Sequence, residues 1–170
     1  KNCAHGAISF DENRKATINH DKCVGCGRCL GACNFNAIKN KNDCAILELN
    51  KKMAEYSLAV CHGRPNFHIS LVVDVSPNCD CHGENDVAIL PNIGMFASFD
   101  PLALDQACAD ACLKAAPIPG SQLAHNMESP DFVDYHDHFK NSTPESEWRV
   151  CLEHAEKIGL GTRKYDLIEL

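Results

Sequence analysis

Cys23-Val24-Gly25-Cys26-Gly27-Arg28-Cys29-Leu30-Gly31-Ala32-Cys33 reads Cys-x2-Cys-x2-Cys-x3-Cys, the thiolate spacing of a cubane iron-sulfur loop of the bacterial ferredoxin kind. Three thiolates on one tight loop must reach three corners of a single cube, so small residues are needed between them for backbone to approach the sulfides. Gly25, Gly27 and Gly31 supply that room. A structural zinc site is the competing use of four cysteines, but zinc loops usually come as two separated pairs.

The fourth cysteine of such a run usually ligates the other cluster of a two-cluster ferredoxin. A separate fourth ligand is therefore expected for the cube of Cys23, Cys26 and Cys29, and the start of the chain offers one. Cys3-Ala4-His5-Gly6-Ala7-Ile8 repeats, thirty residues earlier, the pattern Cys33-Asn34-Phe35-Asn36-Ala37-Ile38, and internal repetition of this kind is an architectural signal. The reading assigns Cys3, Cys23, Cys26 and Cys29 to one 4Fe-4S cluster and Cys33 to a second, whose other ligands lie outside this chain. His5 beside Cys3 would tune the cluster by hydrogen bonding. Because the chain opens with Lys1 in mid-motif, it reads as the C-terminal part of a longer protein. Were it complete, Cys33 could instead recruit Cys44 or stay a buried thiol.

Iron-holding thiolates must stay reduced, so twelve cysteines in 170 residues point to a reducing cytoplasm, and to an anaerobic host, rather than to a disulfide-stapled secreted fold. No apolar run approaches the roughly 20 residues that span a bilayer, which argues against a membrane partner. The net charge of -7 conceals a division: residues 1–52 carry +4 and residues 53–170 carry -11. Cations around an anionic cluster could tune its potential, although a solvated face accounts for them as well. Neither part has a basic stripe with interleaved aromatics, so nucleic acid is not an expected partner. A redox partner protein, or the absent N-terminal part, is.

Ala7–Phe10 and Ala16–Asn19 read as two short strands, Gly27–Cys33 as a short helix and Ala45–Leu49 as another strand, which places the end of a ferredoxin-type segment near Asn50. Beyond it, helices are expected over Lys51–Cys61, Pro101–Ala116 with Asp100 as N-cap, and Glu145–Ile158. Phe67–Val75 is a nearly continuous apolar run suited to a strand buried on both faces. Residues 117–147 read as a polar surface excursion, and Tyr165–Leu170 as a last strand. The fold class expected is an α+β ferredoxin-like segment, residues 1–50, followed by an incomplete mixed α/β domain, residues 51–170.

The stretches "CVGCGRCLGACNFNAI", "FHISLVVDVSPNCDCHGENDVAILPNIGMFASFDPLALDQACADA" and "HAEKIGLGTRKYDLIEL" resemble the C-terminal half of the domain of unknown function 362 family, whose members carry a ferredoxin-type 4Fe-4S segment. The resemblance covers nearly the whole chain. It implies an iron-sulfur protein with an α/β domain and leaves the substrate open.

Outside the cysteine run, Asn78 to Asp86 is the densest group of ligand-type side chains. Loops after the carboxyl ends of strands are where α/β folds place chemistry, so Asp74, Cys79, Cys81 and His82 are candidates for a catalytic or metal site, against the alternative of a polar turn. Cys108 and Cys112, four apart on a helix, read more readily as compact packing residues than as ligands. His125, His136, Asp137 and His138 read as solvated loop, and Asp105 is ambiguous. Two functions compete: an electron-transfer module, and an oxidoreductase with a substrate or metal site at Cys79–Asp86 to which the cluster relays electrons. A cluster serving as a structural staple is the third.

Overall fold

A computed structural model of the chain describes residues 3–33, 37–38, 45–79 and 85–170. They fall in two compact units, Lys1–Asp43 and Cys44–Leu170, and the fold class is α+β, with small antiparallel sheets and helices.

In the first unit β1 (Ile8–Phe10) pairs antiparallel with β2 (Ala16–Ile18), matching Ile8 to Ile18 and Phe10 to Ala16. The turn is closed by Asp11, whose Oδ1 accepts from Asn13 N–H at 2.9 Å and Lys15 N–H at 2.7 Å, the local side-chain bonding that makes Asp a turn residue. Both expected strands are present. Helix α1 (Arg28–Gly31) follows the cysteine loop and starts from Gly27 in the left-handed region.

The second unit opens with α2 (Ala45–Cys61). Ala45–Leu49, expected as a strand, is its first turn and runs without a break through residue 50. A five-residue apolar run cannot by itself distinguish strand from helix; what decides is the helix-forming sequence that continues it. Glu48 pairs with Lys51 at 2.8 Å and Lys52 with Glu55 at 2.7 Å, and Asn50 Nδ2 donates to Ile46 O at 2.9 Å, contacts that need helical spacing.

Strands β3 (His68–Val72) and β4 (Gly94–Ser98) form an antiparallel pair with Ile69 opposite Ala97 and Leu71 opposite Met95. This corrects the expectation of a strand buried on both faces: Ile69 is 59% exposed and Leu71 65%, because the sheet packs one face on α3 (Pro101–Lys114) and turns the other outward. Helix α3 begins where expected. Asp100 Oδ1 accepts from Leu102 N–H at 2.9 Å and Ala103 N–H at 3.0 Å, and Pro101 occupies the first turn, where its missing N–H costs nothing.

The segment 117–147 is more ordered than expected. It holds α4 (Gln122–Met127), capped by Ser121, and α5 (His138–Ser142), capped by Asp137. Four of its polar residues are buried, the caps Ser121 and Asp137 together with Asn141 and Ser142 of α5, while others such as His125, Asp131 and His136 are exposed as expected. Helix α6 (Trp148–Lys157) packs on α2. Tyr165–Leu170 forms no strand; Tyr165 Oη donates to Asp110 Oδ2 at 2.7 Å, and the apolar side chains after it lie exposed.

Two apolar clusters hold this unit. Val72, Ile89, Leu90, Cys112 and Leu123 form one. Ala54 of α2, Leu102 of α3, and Leu152 and Ala155 of α6 form the other. Among the described residues no helix is long and apolar enough to cross a membrane.

Candidate functional site

The cysteine loop begins where β2 ends. Asn19 O accepts from Cys23 N–H at 3.1 Å, and Asn19 N–H donates to Ala7 O at 2.8 Å. Ala7 N–H in turn donates to Cys3 Sγ at 3.4 Å. Because Ile8 and Ile18 are paired, these bonds bring Cys3 and Cys23, twenty residues apart in sequence, to the same end of the β1–β2 hairpin. Cys23 and Cys26 are exposed, whereas Cys3, Cys29 on α1 and Cys33 just beyond it are half-buried.

Gly25 and Gly27 have φ of 70° and 72°, a region that residues with a Cβ enter at a cost. An added Cβ would meet no protein atom within 4 Å at either position, so within the protein it is backbone direction rather than packing that calls for glycine there. The Cys3 thiol is held below the usual thiol range by the Ala7 amide, then by that of His5, with Gly6 and Ile8 adding to it. Hydrogen bonds to the charged form favour it, and the thiolate is the form that binds iron. His5 therefore acts on Cys3 through its backbone amide.

Among the described residues no three His, Cys, Asp or Glu side chains converge as a metal-holding group. A cubane asks for something different, since each of its thiolates sits on its own iron corner. The left-handed glycines, the amide-stabilised Cys3 sulfur and the shared hairpin end fit that group.

The second candidate loop follows β3. Asp74 takes φ of 50°, tolerated by Asp better than by most residues, and its N–H donates to Asn92 Oδ1 at 2.9 Å. Asn85 clamps the loop base: its Oδ1 accepts from Asn78 N–H at 3.2 Å, while its Nδ2 donates to Asn78 O at 3.1 Å and Ser76 Oγ at 3.2 Å. Thr143 Oγ1 donates to Pro77 O at 3.0 Å and ties the base to the end of α5. Cys79 is exposed. Cys81 and His82, like Cys44, lie outside the described residues.

Cys112 is buried in the first cluster with Cys108 beside it, the packing role expected of them. Burial raises both thiols, as it does Cys151. His125 and His136 are exposed, and His136 Nδ1 stands 3.1 Å from Asp134 Oδ2. The solvated-loop reading fails for their neighbours. His138 Nε2 bonds Ala115 O at 3.0 Å, and Asp137, buried, accepts from Phe139 N–H, Lys140 N–H and Trp148 Nε1–H while pairing with Arg149. Sequence reasoning missed Ala7, Asn19 and Asn85. An Asn directly after a strand and an Asn-Asp pair at 85–86 were the available signals.

A family model described as Domain of unknown function (DUF362) matches residues 1–110. No curated protein and no solved structure matches the chain.

Proposed function

The chain belongs to the DUF362 family, whose name assigns no reaction, and from that premise we propose that it binds a 4Fe-4S cluster and serves as the electron-transfer module of a cytoplasmic redox protein. One observation carries this reading: Cys23-x2-Cys26-x2-Cys29-x3-Cys33 spans a loop with two left-handed glycines and the short helix α1, and Cys3 is tied to the start of that loop. Cys3, Cys23, Cys26 and Cys29 would hold one cube, and Cys33 a second with ligands outside this chain. The cluster, when bound, supplies a one-electron couple. The chain's own part is to stabilise thiolate at Cys3 through backbone amides, and hydrogen bonds to ligand sulfur are among the levers that set cluster potentials. The need for reduced thiolates supports the cytoplasmic location.

Anaerobic reconstitution tests the proposal. The expected product is brown, with iron and sulfide in equal amounts near about four of each per chain. Bound zinc in place of iron would overturn it. Cys3→Ser should impair the same cluster as Cys26→Ser, while Cys33→Ser should spare it.

A second reading is an oxidoreductase with its substrate or metal site on the loop bearing Cys79, Cys81 and His82, near Asp74, the cluster relaying electrons to it. The clamp made by Asn85 and the tie from Thr143 support it, since a site needs a fixed base. Replacing Cys79 and Cys81 together should then abolish turnover with an accepting redox partner and leave the cluster absorbance unchanged. Loss of the absorbance would make these cysteines cluster ligands instead.

A further inference from the structure

The inward face of a sheet packed on a helix calls for apolar side chains. β3 places His68 and Ser70 on the same side as buried Val72, and Asp105 of α3 faces the same space as His68 and Ser70. With Tyr56, Ser57 and Val60 of α2 they line a cavity of about 480 Å³, within the size range of small-molecule sites. Polar residues where the pattern demands apolar ones are a mark of function.

The hydrogen-bonding sense of the cavity can be read atom by atom. Asn66 Nδ2 donates to Arg64 O at 2.7 Å, which orients the amide so that its Oδ1 faces His68 Nε2 at 2.8 Å. Nε2 must therefore carry a proton, which leaves Nδ1 as the only ring nitrogen able to accept. Ser57 Oγ spends its hydrogen on Met53 O at 2.9 Å and keeps only lone pairs. Asp105 adds a carboxylate. No Lys or Arg lines the cavity among the described residues, and residues 53–170 carry a net charge of -11. An acceptor-rich, cation-free cavity selects donors and rejects anions. Tyr56 and Val60, both largely exposed, offer an aromatic face and an apolar wall to the rest of a ligand.

We propose that this cavity binds a small primary amine, its ammonium group donating to Asp105 and to His68 Nδ1 and its apolar body lying against Tyr56 and Val60. Asp105 is exposed, so its carboxylate is within reach of a ligand from solvent; partial desolvation by its neighbours pushes its carboxyl above the usual range, and a bound ammonium would offset that.

The test is a titration of the full chain with benzylamine, followed by calorimetry and by the side-chain NMR signals of His68, with benzyl alcohol as the neutral isostere and benzoate as the anion. Saturable binding of benzylamine, weaker binding of the alcohol and none of benzoate are expected. Asp105→Asn should weaken benzylamine by about tenfold or more, the worth of a hydrogen bond to a charged group, and Val60→Trp should block it by filling the cavity. Equal affinity for the alcohol, no saturable binding, or an unchanged affinity in the correctly folded Asp105→Asn variant would overturn the proposal. Tighter binding of a lysine-containing peptide than of benzylamine would overturn the small-molecule assignment.

Discussion

Cys3 and Cys23 are joined through two backbone residues: Cys3 Sγ accepts from Ala7 N–H, Ala7 O accepts from Asn19 N–H, and Asn19 O accepts from Cys23 N–H. The relay makes the hairpin a splint between the first cysteine and the cysteine loop, and it makes Ala7 the residue through which Cys3 can be perturbed without touching sulfur. Ala7→Pro removes the donor that lowers the Cys3 thiol most. In metal-free chain, alkylation of Cys3 by iodoacetamide should follow a thiolate titration below the ordinary value of about 8.5, and Ala7→Pro should move that titration upward. At neutral pH the variant therefore reacts more slowly at Cys3. Mass spectrometry of the alkylated peptide checks the shift, and iron content after reconstitution should fall in parallel.

Asp137 is the most heavily bonded carboxylate among the described residues, and it is 1% exposed. It caps α5, accepts from Trp148 Nε1 at 2.9 Å and pairs with Arg149, whose guanidinium also lies 4.5 Å over the Trp148 ring. Asp137→Ala removes a cap and leaves the indole N–H without its acceptor, so the expected loss is about 2–4 kcal/mol. Arg149→Ala keeps the cap and the indole bond but leaves the fully buried Asp137 carboxylate without its counter-charge, so its cost should be comparable, about 2–4 kcal/mol. Denaturant midpoints of the two variants give the comparison.

What could be read in the sequence was whatever depends on neighbours in the chain. The cysteine spacing, the Asp100-Pro101 helix start and the short β1 and β2 strands are local patterns. The misses each depended on contacts made elsewhere. Ala45–Leu49 looks like a strand until Glu48–Lys51 and Lys52–Glu55 are seen to continue one helix. Phe67–Val75 has the composition of a doubly buried strand, yet it is paired with β4 alone and leaves Ile69 and Leu71 outside. Asp137 belongs to a stretch whose polarity suggested solvent, and only the arrival of Trp148 and Arg149 from α6 makes it an interior residue. Repetition in the sequence singles out Cys3 as a candidate, but the Ala7–Asn19 relay that ties it to the cysteine loop was not legible, since backbone bonds leave no mark on side-chain identity.

Gly161 sits against the Asp100 carboxylate so closely that an added Cβ would overlap its oxygens and lie 2.6 Å from its Cγ. Asp100 uses one oxygen to cap α3 and the other to accept from Thr162 N–H at 2.9 Å, which fastens the segment after α6 to the start of α3. Gly161→Ala should therefore destabilise the fold by about 1–3 kcal/mol. In the double variant with Asp100→Ala the overlap disappears, so the combined loss should be smaller than the sum of the single losses. Strict additivity in urea unfolding would show that the contact carries no strain.

Asp105 sets the sign of a pH effect. Its folded-state carboxyl is raised above the usual value, first by burial, with His68 acting against the shift. A raised acid favours the protonated native state, so the stability linked to this group is fully present below its unfolded pKa of about 3.9 and is lost as pH rises through the higher folded value. Asp105 is exposed overall and solvent screens the effect, so Asp105→Asn should raise the unfolding midpoint only slightly at pH 7, where the native carboxylate is charged, and leave it nearly unchanged at pH 3, where both side chains are neutral. Thermal melts of the two proteins at the two pH values decide it. A variant that is less stable at pH 7 than at pH 3, relative to the parent, would mean that His68 rather than burial governs Asp105.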